Sequence, residues 1–81
     1  MWTEEDGKLV NRYEFKDFKQ AISFINKIAK ICNSVNHHPE IYNCYNQVKL
    51  YLYTHDSQDN ITQKDYQLGK LIDKVICKMN N

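Results

Sequence analysis

Apolar positions fall in two different rhythms along this chain. Phe18, Ala21, Ile22, Ile25, Ile28, Ala29, Cys32 and Val35 recur at helical spacing and predict one amphipathic helix over residues 18–35. Asp17 stands at the N-cap position with Gln20 three residues on as its capping-box partner. Lys27 and Lys30 lie toward the C-terminal half, where positive charge suits the helix dipole. Pro39 disfavours helical geometry at His38, so the helix ends before it. Leu68, Leu71, Ile72, Val75, Ile76 and Met79 repeat the rhythm and predict a second helix over residues 63–78. Thr62 with Asp65 has the form of a capping box, and Ile61 with Tyr66 the spacing of a hydrophobic staple. Gly69 costs that helix about 1 kcal/mol relative to alanine, unless close packing needs the missing side chain.

The second rhythm is alternation. Residues 2–15 read as a hairpin about Asp6-Gly7, a pair suited to a tight type I′ turn. Leu9, Asn11, Tyr13 and Phe15 share one face of its second arm, and Val10, Arg12 and Glu14 the other. Residues 41–46 and 47–54 read as two further strands with a turn near Asn46-Gln47. Val48, Leu50 and Leu52 point one way and Lys49, Tyr51 and Tyr53 the other, with His55 in phase with the tyrosines. The order β-β-α-β-β-α predicts an α+β fold, a four-stranded antiparallel sheet with both helices packed on one face. Its second face, carrying Tyr51 and Tyr53, stays open and invites a ligand or partner.

Composition narrows the class of protein. Eighty-one residues suit a single domain, residues 1–81, with a modest core, for which self-association is expected. A net charge of +1, with Arg12 as the only arginine, disfavours nucleic acid and anionic membranes as partners. Three cysteines without a CxxC pair point to a reducing compartment rather than a disulfide framework. No apolar run approaches the roughly 20 residues that span a bilayer, and the acidic start MWTEEDGK lacks the apolar core of a signal peptide. The expected location is the cytoplasm, with the nucleus as the alternative.

Candidate chemistry rests on three histidines outside the apolar stripes. If the third and fourth strands pair as a hairpin, residues 38–41 lie opposite residues 52–55, and His37, His38 and His55 gather at one end of the sheet. Imidazoles titrate near neutrality and exchange protons at either nitrogen, so such a cluster suits acid–base catalysis. Asp65 lies within reach of His55, where it would set the imidazole's tautomer, or else it serves only as a cap with Thr62. Zinc is the competing reading, given Cys32 and Cys44, although no pair has CxxC or HxxxH spacing. Simple exposed polar histidines are the third.

One set of motifs weighs on that choice. Asn36-His37-His38-Pro39-Glu40-Ile41, Tyr45-Asn46-Gln47-Val48, Leu52-Tyr53-Thr54-His55 and Ile61-Thr62-Gln63-Lys64-Asp65 occur in one order, after Tyr13-Glu14-Phe15-Lys16-Asp17-Phe18 with Ala21 and Phe24, and after Trp2. Together they resemble the pterin-4a-carbinolamine dehydratases over nearly the whole chain. The resemblance implies the same sheet-and-helix fold, assembly as a homodimer or homotetramer, and a lyase activity: dehydration of 4a-hydroxytetrahydropterin to quinonoid dihydropterin in tetrahydrobiopterin recycling. It further implies His37 and His55 as the acid–base pair, His38 as a catalytic and pterin-binding residue, and Asp65 as the support of His55. Pro39, Ile41 and Thr54 become pterin contacts. No metal and no cofactor is implied, because the pterin is the substrate.

Three departures from the family pattern stand out. Asn33 occupies the place of a glutamate found in many members, and as a supporting residue it offers an imidazole a hydrogen bond without a charge. Ile41 stands where animal members carry tryptophan. The loop between His55 and Asp65 is one residue longer and lacks glycine. Some animal relatives act as dimerisation cofactors for a transcription factor, which makes a non-catalytic protein-binding module the alternative function.

Overall fold

Asp6 and Gly7 both adopt positive φ, 52° and 76°, the two left-handed residues that a type I′ turn requires. They join β1 (Thr3–Glu5) to β2 (Lys8–Glu14), with Glu5 opposite Lys8 and Thr3 opposite Val10. The computed structural model describes residues 1–54 and 60–79. Then come α1 (Phe18–Val35), β3 (Glu40–Cys44), β4 (Gln47–Leu52) and α2 (Gln63–Met79), the β-β-α-β-β-α order expected. The strands form one antiparallel sheet in the order β1-β2-β4-β3.

The alternation in β4 sorts the two faces. Val48, Leu50 and Leu52 are buried together with Leu9 of β2, Ala21, Phe24, Ile28 and Cys32 of α1, and Leu68 and Ile72 of α2, so both helices cover one face. The other face is not bare. Lys8 Nζ sits 4.6 Å from the Tyr53 ring centre and ion-pairs with Glu40 at 2.9 Å, and Lys49 Nζ lies 5.1 Å from the Tyr51 ring. Arg12 meets Glu5 at 3.1 Å and holds that carboxyl below its ordinary range. Val10, between Thr3 and Tyr51 on this face, is completely buried.

Several local expectations shift. The apolar stripe of α1 is centred one row away from the expected line. Phe24, absent from that line, is fully buried beneath Tyr13 (4.8 Å between ring centres) and Phe15 (5.1 Å), whereas Phe18 and Val35 are 50% and 46% exposed. The second hairpin turns at Tyr45-Asn46, one residue early, with Cys44 opposite Gln47. Asn46 fixes that turn: its side chain donates to Phe15 O and its carbonyl accepts from Phe15 N, each at 2.8 Å. Tyr45 consequently carries φ 52°, and Asn43 Nδ2 braces its carbonyl at 3.2 Å. Ile61 packs on the core, while Tyr66 is 45% exposed and donates its hydroxyl to Glu4, so the structure gives the expected staple pair separate partners.

Gly69 has the packing reason that its helix position demanded. A Cβ there would lie 3.3 Å from Trp2 Nε1, and the indole N–H donates to Asp73 at 3.0 Å. Among the described residues, no helix is long and apolar enough to cross a membrane.

Candidate active site

The end of α1 places the first two histidines. Asn36 takes the left-handed conformation, φ 53° and ψ 44°, which asparagine tolerates better than most residues. Its N–H bonds the Asn33 carbonyl and the next N–H, that of His37, bonds the Cys32 carbonyl at 3.1 Å. This Schellman closure ends the helix before Pro39 has to, and it pins the His37 backbone. The two rings then diverge. His37 Nε2 lies 2.6 Å from Asp65 Oδ1 in the first turn of α2, and His38 Nε2 lies 2.9 Å from Asn33 Oδ1 on α1.

Asp65 is the centre of the arrangement. It is fully buried, yet both oxygens are engaged: Oδ1 by His37, and Oδ2 by the Thr54 hydroxyl at 2.8 Å and the Thr62 N–H at 2.9 Å. Among the described residues, no buried side-chain nitrogen or oxygen lacks a hydrogen-bond partner. The capping box is half formed. Asp65 accepts from the Thr62 backbone, but the Thr62 hydroxyl contacts Thr54 Oγ1 at 2.7 Å instead of capping the helix. Thr54 N also donates to Asn60 O at 2.9 Å, which holds the end of the β4 segment against the entry to α2.

The expected residues are thus partly gathered. His37, Asp65 and Thr54 form one connected network, and His38 and Asn33 form a second, more exposed pair. Asn33 does bond an imidazole, but that of His38. Pro39 is half-buried, and Ile41, opposite Leu50 on the edge strand, is 43% exposed. The Thr54 hydroxyl, expected on the pterin, is committed to Asp65. His55 lies outside the described residues, and with it the expected contact to Asp65 and the three-histidine cluster. Spacing did not reveal the His37–Asp65 pair, 28 residues apart; an asparagine just before the histidines was the available sign that the helix closes there and turns the next residue back.

His37, with 13% of its side chain exposed, lines a cavity of about 280 Å3 with Val35, Lys64, Gln67, Leu68 and Leu71. Three apolar walls and a rim of three polar side chains suit a small, flat, polar-edged ring. A larger cavity of about 610 Å3 runs along α1 beside Phe18, Ile22 and Lys27, and none of the expected site residues line it. Among the described residues, no three His, Cys, Asp or Glu side chains come together as a metal site requires.

Comparison with known proteins bears on this geometry. The profile of the family described as Pterin 4 alpha carbinolamine dehydratase matches residues 1–75. A protein of Prochlorococcus marinus, provisionally named a pterin-4-alpha-carbinolamine dehydratase, is 47% identical over 74 residues, which are 91% of this chain and 76% of that protein. The crystal structure of a transcriptional coactivator/pterin dehydratase from Brucella melitensis superposes with a TM-score of 0.83 at 32% identity, covering 91% of this chain and 80% of that one. A pterin dehydratase-like protein identified as a RuBisCO assembly factor in the alpha-carboxysome shares the fold, with a TM-score of 0.74 at 16% identity and coverage of 93% and 86%.

Proposed function

We propose that this chain, which belongs to the pterin 4 alpha carbinolamine dehydratase family, removes water from a 4a-hydroxytetrahydropterin to give the quinonoid dihydropterin, as a step in tetrahydrobiopterin recycling. The observation that carries the reading is the His37–Asp65 pair, a nearly buried imidazole against a fully buried carboxylate, at the wall of a cavity sized for a bicyclic ring.

The reaction breaks the C4a–O bond and forms a C4a=N5 double bond. One proton must reach the leaving hydroxyl so that it departs as water, and one must leave N5; no net proton is gained or lost. A donor and an acceptor of suitable tautomer serve both transfers at neutral pH, which is worth on the order of 10²–10⁴ in rate. In this reading His37 and His55 are the two proton carriers. Thr54 is hydrogen-bonded to the carboxylate that holds His37, and His55 is the next residue in the chain. Asp65 orients His37, a role beyond the expected support of His55, and stabilises that imidazole whenever it is charged. His38, oriented by Asn33, contacts the pterin, and the reading requires no cofactor.

The test is the loss of 4a-hydroxytetrahydropterin followed in buffer, with the native chain, and with His55→Ala. Acceleration by the native chain that is largely abolished in the folded variant supports the reading. A folded native chain no faster than buffer defeats it. The protein-binding alternative, which the coactivator half of the Brucella protein's name brings to this fold, would then lead.

A further inference from the structure

We propose that Thr54 is a positioning residue for His37, acting through Asp65, and that it makes Nδ1 of His37 the nitrogen that handles the reacting proton. The kinetic part of this proposal rests on the dehydratase reading; the rest stands on geometry alone.

The directions of the hydrogen bonds follow from counting protons. An ionised carboxylate only accepts, so the single hydroxyl proton of Thr54 goes to Asp65 Oδ2, 2.8 Å away. The 2.7 Å contact between the two threonine hydroxyls is then filled by the Thr62 proton, with Thr54 Oγ1 as acceptor. The chain runs Thr62 O–H to Thr54 O–H to Asp65, each hydroxyl polarising the next. The Thr62 N–H occupies Oδ2 as well, at 2.9 Å. Two donors on Oδ2 prevent the carboxylate from rotating and leave Oδ1 for the imidazole. A carboxylate oxygen 2.6 Å from Nε2 places the proton on Nε2 and leaves Nδ1 as the nitrogen Asp65 does not engage.

Burial makes Thr54 the decisive member of this chain. It is 6% exposed and Asp65 is 0% exposed, so water does not substitute for a lost hydroxyl. The Thr54 backbone is held independently by Asn60, so the hydroxyl's position does not depend on the bond it makes to Asp65.

Long-range 1H–15N correlation spectra of the histidines, recorded at pH 8 without substrate, together with steady-state kinetics test the proposal. In the native chain His37 carries its proton on Nε2, at low field and in slow exchange with water, and Nδ1 is unprotonated. Thr54→Val loses the slow exchange and lowers kcat on the order of 10-fold, with KM changed by less than about twofold. Thr54→Ser restores both. A native His37 protonated on Nδ1 overturns the proposal, as does a Thr54→Val chain that keeps the protected Nε2 proton and native kcat even with a lowered Tm. Should Thr54→Val fail to fold, Thr54→Ala decides, because it removes the same hydroxyl donor to Asp65 and keeps the Thr62 N–H; unchanged exchange of the Nε2 proton there overturns the proposal. The spectra need no turnover, so they judge the positioning even if the chain fails to dehydrate the pterin and the dehydratase reading falls.

Discussion

Replacing Asp65 by alanine strands three donors at once. The Thr54 hydroxyl, the Thr62 N–H and the His37 Nε2–H all end on this side chain, inside a site where Asp65 itself has no exposed surface. A buried donor left without a partner costs about 1–3 kcal/mol. Thr62 and His37 are only partly buried and recover some hydration, so the sum comes to about 3–5 kcal/mol, including the lost cap on α2. A chain of this size has a total stability of about 4–12 kcal/mol, so the variant approaches the limit of folding. Its Tm should fall by at least about 12 °C. Asp65→Asn keeps an oxygen for the two threonine donors and should lose only about 1–2 kcal/mol. Urea unfolding monitored by Trp2 fluorescence, with the m-value checked for constancy, measures both. An Asp65→Ala chain within about 1 kcal/mol of native would refute the network as a stabilising unit.

Phe24→Ala should cost about 3–5 kcal/mol by opening the aromatic core, and Phe18→Ala less than about 1 kcal/mol, since half of Phe18 is exposed; comparable losses in urea melts would place the α1 stripe elsewhere. Gly69→Ala gains about 1 kcal/mol of helix propensity but pushes on the Trp2 indole and its bond to Asp73, so its Tm should stay near native while Trp2 fluorescence shifts. A full kcal/mol gain with unchanged fluorescence would refute that contact. Burial pushes the Cys32 thiol above its ordinary range, so at pH 8 a thiol reagent should titrate Cys44 and Cys77 quickly and Cys32 only on unfolding; three fast thiols would contradict the packing of α1.

The fold was legible because its signals were local and agreed with one another. Asp6-Gly7 specified the first hairpin, Asp17 the start of α1, and Val48, Leu50 and Leu52 the face of β4 that meets the helices. The misplacements came from partners distant in sequence. Phe24 stands at helical spacing from Ala21 and Ile28, and Tyr13 and Phe15 of the preceding strand segment centre the buried stripe on it rather than on Phe18 and Val35. The second turn moved because Asn46 satisfies the backbone of Phe15, 31 positions away. In the site, residue types and order suggested histidines with a carboxylate, but not that His37 meets Asp65. That contact is set by the left-handed Asn36 and by Thr54, whose hydroxyl the motif alone suggested was a ligand contact.

In the proposed reaction His37, held by Asp65, carries protons in pterin dehydration. The most direct measurement is kcat for 4a-hydroxytetrahydropterin loss in the native chain and in His37→Ala, both shown to be folded. The expected result is a native rate clearly above buffer and a fall on the order of 10²–10⁴-fold in the variant. A folded His37→Ala chain that turns over at the native rate would contradict it.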